Sequence, residues 1–260
     1  MYTTVLYNIE NGVARITLNR PDVFNSFNET LSAEFIDALK KANKDPEVRT
    51  VVVSGEGKAF CSGQDLKDIK GELGKRSLGG SVLRRYNPMI LAIREMPKPV
   101  ICKLNGVAAG AGASLVLACD MIVAADNASL IEVFTNVGLV PDSGSSFFLP
   151  RLVGYNKAFE LIALASKISA QEAYEMGFIY KVVKADELDS AVNELANRLA
   201  AGPTKSYGII KKMLNKSYHA TLSEMLEQEY YGQEIAGRSE DYKEGVTAFI
   251  EKRKPVFKGK

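Results

Sequence analysis

Three short stretches of the chain carry residue types from which a chemical site can be built. In Lys58-Ala-Phe-Cys-Ser-Gly-Gln-Asp-Leu66, small residues and Gly63 interrupt a strand-like run. A turn of this kind leaves backbone N–H groups unpaired, and such groups can donate to an anion. Taken alone, the stretch reads more simply as a strand-to-helix connection with Asp65 as the helix cap. In Asn105-Gly-Val-Ala-Ala-Gly-Ala-Gly-Ala-Ser114, followed by Leu115-Val-Leu-Ala-Cys-Asp120, the side chains are close to absent. A ligand can then approach the backbone, and the helix that follows aims its positive end at the same spot. Gly110-Ala-Gly112-Ala-Ser-Leu115 lacks the third glycine of a dinucleotide fingerprint, so a nicotinamide or flavin site is disfavoured, and tight helix packing is the plainer alternative. In Val133-Phe-Thr-Asn-Val-Gly-Leu-Val-Pro-Asp142-Ser-Gly-Ser-Ser-Phe147, one carboxylate follows an apolar run and precedes a helix expected from about Ser143. An Asp between Pro and a helix is most often an N-cap, so chemistry alone leaves Asp142 open between cap and catalyst.

These stretches must be held by a frame, and the hydrophobic periodicity describes one. Thr3 to Ile9 and Val13 to Leu18 alternate around Asn11-Gly12, a hairpin signal. Leu31, Phe35, Ile36 and Leu39 share one face of a helix expected from about Asn28 to Asp45-Pro46. Thr50 to Val53, Pro99 to Leu104 and Met121 to Ala124 read as buried strands, and strand alternating with helix predicts a layered α/β core. After about residue 185 the strand pattern stops. Leu188, Val192, Leu195 and Leu199, then Ile209 and Met213, then Leu222, Met225 and Leu226 are helical in spacing, and Ser169-x-x-Glu172 and Thr221-x-x-Glu224 are capping boxes. The expected division is a core over 1–190 and a helical region over 191–260, whose surplus apolar stripes would pack on a neighbouring subunit. Lys70 to Ser81 (KGELGKRSLGGS) is polar and glycine-rich and reads as a loop able to cover a site.

Composition excludes several classes. Of 260 residues 46% are apolar, enough for a sizeable core without staples. Lys plus Arg number 33 against 31 for Asp plus Glu, so no nucleic-acid partner held by net charge is expected. Cys61, Cys102 and Cys119 are odd in number and lack metal-ligand spacing, which reads as reduced thiols in a cytoplasmic protein with no metal site. No export signal opens the sequence, and no apolar run approaches the ~18 residues of a membrane span.

Taken in order, the three stretches resemble the enoyl-CoA hydratase/isomerase superfamily, also called the crotonase family. The likeness covers nearly the whole chain, including Leu18-Asn-Arg-Pro21, Met96-Pro-Lys-Pro-Val100, Ser169-Ala-Gln-Glu-Ala173 to Gly177, and Ala248-Phe-Ile-Glu-Lys-Arg-Lys254. The resemblance implies an α/β fold: a crotonase-type ββα spiral core with a helical C-terminal trimerisation layer, giving a homotrimer or a dimer of trimers. It implies an acyl-CoA thioester as substrate, with coenzyme A part of that substrate and no separate cofactor. The backbone N–H groups of Gln64 and Ala111 would form an oxyanion hole. Phe24-Asn25-Ser26, Ser62, Asp65, Leu66, Gly110, Phe134, Phe249 and Lys252 match positions that bind the acyl group or coenzyme A.

Family hydratases use two glutamates; those positions hold Ser114 and Phe134 here. Adding water needs one group to activate it and usually another to manage the α proton, so simple hydration is disfavoured. Dehalogenases of the family use a His and a Trp where this chain has Asn87 and Phe134, and it contains no Trp. Tyr86-Asn-Pro-Met89, Phe134 and Gly138-Leu-Val-Pro-Asp-Ser-Gly144 are similar to isomerases of the ring-1,2-epoxyphenylacetyl-CoA type, which makes Asp142 the expected acid/base, in fatty or aromatic acid degradation. Val133, Phe134, Val137 and Leu139 would desolvate it and raise its pKa. The alternatives are a hydratase-type lyase and a non-catalytic acyl-CoA or RNA-binding homologue. Lys67, Lys70, Lys75, Arg76, Arg84 and Arg85 are expected to cluster at the mouth and fit coenzyme A phosphates.

Overall fold

Asn11 and Gly12 both have positive φ, 51° and 76°, and this turn folds β1 (Val5–Glu10) back on β2 (Val13–Leu18) as an antiparallel hairpin. The computed structural model describes residues 1–67 and 77–260. Helix α1 (Glu29–Lys44) starts where the Asn28 side chain accepts the Leu31 N–H, and it buries Leu31, Phe35, Ala38, Leu39 and Ala42. Ile36, expected on that face, lies at its half-buried edge.

The core then repeats one unit. β3 (Thr50–Gly55) and β4 (Ala59–Cys61) are followed, beyond the undescribed residues 68–76, by α2 (Leu78–Ser81) and α3 (Asn87–Glu95). β5 (Val100–Leu104) and β6 (Val107–Ala109) lead into α4 (Ala111–Ala118). β7 (Met121–Ala125) and β8 (Ser129–Ile131) lead into α5 (Ser145–Val153) and α6 (Tyr155–Ala163). Within each unit the first strand joins one sheet and the second joins another. After β9 (Ile168–Ser169), α7 (Ala170–Glu175) and β10 (Lys181–Val183), the large sheet runs β1-β2-β3-β5-β7-β10 and the small one β4-β6-β8-β9. From β2 onward the large sheet is parallel, and its central strands are apolar because both faces are covered. The chain is therefore a spiral of ββα turns, the α/β fold the resemblance implied.

The C-terminal part consists of α8 (Leu188–Ala200), α9 (Thr204–Ser217), α10 (Leu222–Gly237) and α11 (Glu240–Ile250). Helix α8 crosses residue 190 and packs on β2, β3, β5 and β7, so it belongs to the core, and the outer helical layer begins after it. Both capping boxes form, at Ser169/Glu172 and Thr221/Glu224.

Helix α9 is bolted to the core by a buried cation. Lys211 Nζ donates to the Ile93 carbonyl (2.7 Å) and to Asp120 Oδ2 (2.6 Å), while Arg94 holds Asp120 Oδ1 (3.2 Å). Burial lowers the Lys211 pKa, and the Asp120 carboxylate opposes that shift. Replacing it as Lys211→Met removes the cation that the Ile93 carbonyl and Asp120 share, leaving Asp120 with Arg94 and the Val100 N–H, and is expected to cost about 3 kcal/mol. Urea denaturation measures this; a cost near zero would mean that the Lys211 contacts contribute no net stability and that α9 is held by its other contacts, such as Asn215 to Arg94.

Candidate active site

The two glycine turns are packed backbone on backbone. Gly63 has φ +87°, and a Cβ there would stand 2.8 Å from the Ala109 carbonyl oxygen and 3.5 Å from the Ala111 nitrogen. A Cβ on Gly112 would collide with the Cys61 carbonyl. Only residues without side chains permit this approach.

The same contact lines up two free donors. Phe27 N–H bonds the Gly63 carbonyl (2.7 Å) and Asp65 N–H bonds the Phe27 carbonyl (3.0 Å), so the Gln64 N–H between them points the other way. Ala111 is the first residue of α4, preceded by Gly110 at φ 52°, and an N–H in the first turn has no partner inside its helix. Neither N–H donates to an acceptor among the described residues. The helix dipole adds partial positive charge at Ala111. The Gln64 side chain is pinned by donating to the Phe27 and Asp65 carbonyls, both at 3.1 Å, and by accepting from the Tyr86 hydroxyl. Tyr86 closes a single π-helical turn, Val82–Tyr86, between α2 and α3. Sequence reading missed this role for Tyr86, because the contact joins residues 22 apart through the fold.

Both donors open into one cavity of about 500 Å³. Its wall also contains Ser62, Leu66, Gly110, Val82, Phe134, Val137 and Leu139, and Asp142 lies in it. Of the acyl-binding positions expected from the sequence, Ser62, Gln64, Leu66, Gly110, Ala111 and Phe134 thus converge with Asp142. The Asp142 carboxyl is pushed up by burial, while the Ser143 hydroxyl, donating to Oδ1 at 2.8 Å, pulls it down.

The cap reading of Asp142 is corrected, and other expected residues lie away from this wall. Asp142 is not a helix cap: α5 begins at Ser145 with Gly144 as its cap, and the Asp142 side chain bonds Ser143 instead. Asp65 does not line the cavity; its carboxylate pairs with Arg20 at 3.0 Å and accepts the Lys67 N–H. The backbone of Phe24 and Ser26 braces the first turn, while the Phe24 side chain is exposed. The Phe24 carbonyl accepts the Ser62 N–H at 3.0 Å, and the Ser26 carbonyl accepts from Arg20 at 2.6 Å. Phe249 is exposed in a separate groove with Pro203, Tyr242 and Phe257, so this chain does not bring Phe249 and Lys252 to its own cavity. Arg84 and Arg85 line a groove against α1 with Glu29 and Asp37 rather than the mouth. Lys70, Lys75 and Arg76, and most of the expected covering loop, lie outside the described residues. Ser77 to Ser81 form the capped start of α2.

A second carboxyl lies behind Asp142 and was missed. Glu132, 3% exposed, follows β8, and its Oε1 accepts from Ser145 Oγ at 2.7 Å. Its only sequence signal is a lone charge inside the apolar run Ser129-Leu-Ile-Glu-Val-Phe134. Burial, together with the charge of Asp142, pushes its pKa from 4.5 up to about 7. A carboxyl with a raised folded-state pKa binds its proton more tightly when folded. Its contribution to stability is complete below about pH 4.5 and is lost as pH rises through about 7. The span corresponds to about 3 kcal/mol at most. Glu132→Gln should abolish this component, so its stability relative to wild type rises between about pH 5 and about pH 8 in urea denaturation. A difference independent of pH would show that Glu132 does not titrate in this range.

The comparisons with known proteins place the chain in a family. Residues 8–260 match the Enoyl-CoA hydratase/isomerase family. The chain is 42% identical to a 1,2-epoxyphenylacetyl-CoA isomerase of Escherichia coli strain K12, covering 100% of both chains. It is 40% identical to a Rhodobacter capsulatus protein that carries an enoyl-CoA hydratase name, covering 100% of this chain and 99% of that one. A crystal structure of an enoyl-CoA hydratase/isomerase from Mycobacterium abscessus superposes with a TM-score of 0.94 at 37% identity, over 98% of this chain and 100% of that one. The chain belongs to the enoyl-CoA hydratase/isomerase family, the crotonase superfamily.

Proposed function

We propose that this member of the family is an acyl-CoA isomerase that moves a double bond through a thioester enolate, with Asp142 as the single acid/base. The observation that carries the reading is the placement of one carboxyl, Asp142, in the same cavity as the unpartnered N–H groups of Gln64 and Ala111. A thioester oxygen accepting from both donors becomes negative as the α proton leaves. A pre-placed donor of this kind is worth ~3 kcal/mol of barrier. Asp142, ionised, takes the proton; its raised pKa makes it a stronger base at neutral pH. The protonated acid then returns the proton to a different carbon of the delocalised enolate, which relocates the double bond and regenerates the carboxylate. One group serves both steps, so the reaction consumes no water.

Hydration is the weaker reading because the two hydratase glutamate positions hold Ser114 and Phe134, and Glu132 lies outside the cavity wall. The apolar wall of Leu66, Phe134, Val137 and Leu139 suits an acyl chain or an aromatic ring. The name of the Escherichia coli relative includes rearrangement of a ring epoxide among the candidates. Three buried, unbridged thiols accord with a cytoplasmic location.

The outer helices suggest the assembly. Leu222, Leu226, Tyr230, Tyr231 and Ile235 of α10 and Leu214 of α9 are all at least half exposed, a larger apolar surface than a lone helical layer leaves in water. We therefore place this face in a homotrimer or a dimer of trimers, in which Phe249 and Lys252 act at the cavity of another copy. Light scattering is expected to give a multiple of three chains, and a monomer would overturn this part.

The main test is deuterium incorporation from heavy water into 3-enoyl and phenylacetyl-type acyl-CoA thioesters. Asp142→Asn should keep acyl-CoA binding and lose exchange and double-bond movement by about a hundred- to ten-thousand-fold. Normal exchange in this variant would remove Asp142 from the mechanism, and net hydration by the wild type would favour the hydratase reading.

A further inference from the structure

Behind the cavity, side chains from three segments form a chain of hydrogen bonds that ends on two backbone carbonyls. Glu132 Oε1 lies 2.7 Å from Ser145 Oγ, and Ser145 Oγ lies 2.7 Å from Ser114 Oγ. Ser114 Oγ stands 3.1 Å from the Asp142 carbonyl and 3.2 Å from the Gly110 carbonyl. Those two carbonyls matter. The Asp142 carbonyl belongs to the backbone that carries the base. The Gly110 carbonyl belongs to the peptide whose N–H is that of Ala111, one of the two donors proposed to hold the thioester oxygen.

Each hydroxyl has one proton to give. When Glu132 is ionised it can only accept, so Ser145 must donate to it. Two hydroxyl oxygens 2.7 Å apart need a proton between them, so Ser114 must then donate to Ser145. Neither backbone carbonyl receives the Ser114 proton in that state. When Glu132 carries a proton on Oε1, the order reverses. Glu132 donates to Ser145, Ser145 to Ser114, and Ser114 to the Asp142 or Gly110 carbonyl.

Resting on the enolate reading above, we propose that Glu132 is a positioning residue whose proton sets the direction of the Ser145–Ser114 hydroxyl chain, and so couples the Ala111 donor to the backbone of Asp142. The chain ends on carbonyl oxygens, which accept a hydrogen bond but relay no proton, so Glu132 is not itself the acid or base. Donation to the Gly110 carbonyl polarises the Gly110–Ala111 peptide and strengthens its N–H as a donor. Donation to the Asp142 carbonyl adds to the bond it already accepts from the Ser145 N–H at 3.1 Å and fixes the base more firmly. The protonated form is the productive one.

The surroundings keep that proton within reach of neutral pH. Glu132 is buried, and its Oε2 has no hydrogen-bond partner among the described residues, so ionisation would place a poorly solvated charge in the interior. Helix α4 contributes Ser114 and α5 contributes Ser145, neither of them charged. The charge that acts on Glu132 is that of Asp142, which also favours the protonated form.

The test is the pH dependence of α-proton exchange from about pH 5 to about pH 9 in wild type, Glu132→Gln and Ser114→Ala. In wild type, kcat is expected to fall about fivefold as pH rises through neutrality, the worth of one ordinary hydrogen bond, with KM little changed. Glu132→Gln has no proton to lose and should lack this limb whichever way its amide is turned. Ser114→Ala should also lack it, with kcat at low pH already reduced by a similar factor. A limb of the same midpoint and size in Glu132→Gln overturns the proposal. If wild type shows no exchange at any pH, the enolate reading fails by itself, and infrared difference spectroscopy then decides on Glu132. A buried carboxylic-acid band that titrates in wild type, is absent from Glu132→Gln and shifts its midpoint in Ser114→Ala supports the chain. A titration unmoved by Ser114→Ala, or no such band, refutes it.

Discussion

The site depends on one contact, the meeting of two backbones where side chains are missing. Gly63 lies under the Ala109 carbonyl and Gly112 against the Cys61 carbonyl, so the ends of neighbouring parallel strands β4 and β6 approach more closely than any Cβ permits. Two N–H groups are thereby fixed by sheet geometry rather than by rotatable side chains. A donor held this way needs no reorganisation when charge develops in front of it, which is the condition under which a hydrogen bond favours a transition state over a ground state. The surrounding structure maintains the contact. Asn25, fully buried, accepts from Arg20 N–H and donates to the Glu56 and Ala59 carbonyls, bracing the first turn. Cys61 donates its thiol to the Asn25 carbonyl from the other side.

Asp142, the proposed base, is organised differently. Asp142 sits in a connection between β8 and α5, where backbone position is not dictated by a sheet ladder. Its placement comes from the Ser114 hydroxyl and the Ser145 N–H at its carbonyl and from Ser143 beside it. Desolvation strengthens a carboxylate as a base, but it also makes the charge costly to keep, and a second buried carboxyl next to it increases that cost. Keeping Glu132 protonated near neutrality relieves the conflict, since this pair of neighbouring carboxyls then carries one negative charge rather than two.

Much of the frame was legible in the sequence because it follows from local rules. The Asn11-Gly12 hairpin, the Asn28 start of α1 and both capping boxes each involve residues within a few positions of one another. The candidate site was legible in part. Gln64, Ala111 and Asp142 lie on three segments separated by about 30 to 50 residues, and it was the family resemblance rather than spacing that joined them. What local rules misread, they misread for physical reasons. Asp142 has the sequence context of a cap, yet Gly144 at φ 86° takes that place and frees the carboxyl for the cavity. Glu132 and Tyr86 gain their roles from contacts across the fold, and nothing in their immediate neighbours announces them. Phe249 belongs to a different groove because α11 runs along the outer layer, a matter of helix packing that periodicity does not specify.

The division between a backbone hole and side-chain catalysts also explains how one frame serves several reactions. Changing the residue at 114, 132, 134 or 142 alters which protons can move without disturbing the Gly63 and Gly112 contacts on which the hole rests. The resemblance puts Ser114 where a hydratase of the family would have glutamate, and its single hydroxyl proton goes to Ser145 or to one of two backbone carbonyls rather than to water. Phe134, 8% exposed, fills the second such position with an apolar wall. On the proposed reading both replacements remove a carboxylate that could activate water and leave Asp142 as the one carboxylate among the described wall residues. In the proposed reaction a proton taken by Asp142 meets no second carboxylate among the described wall residues, so returning it to the same conjugated system is the shortest path to product.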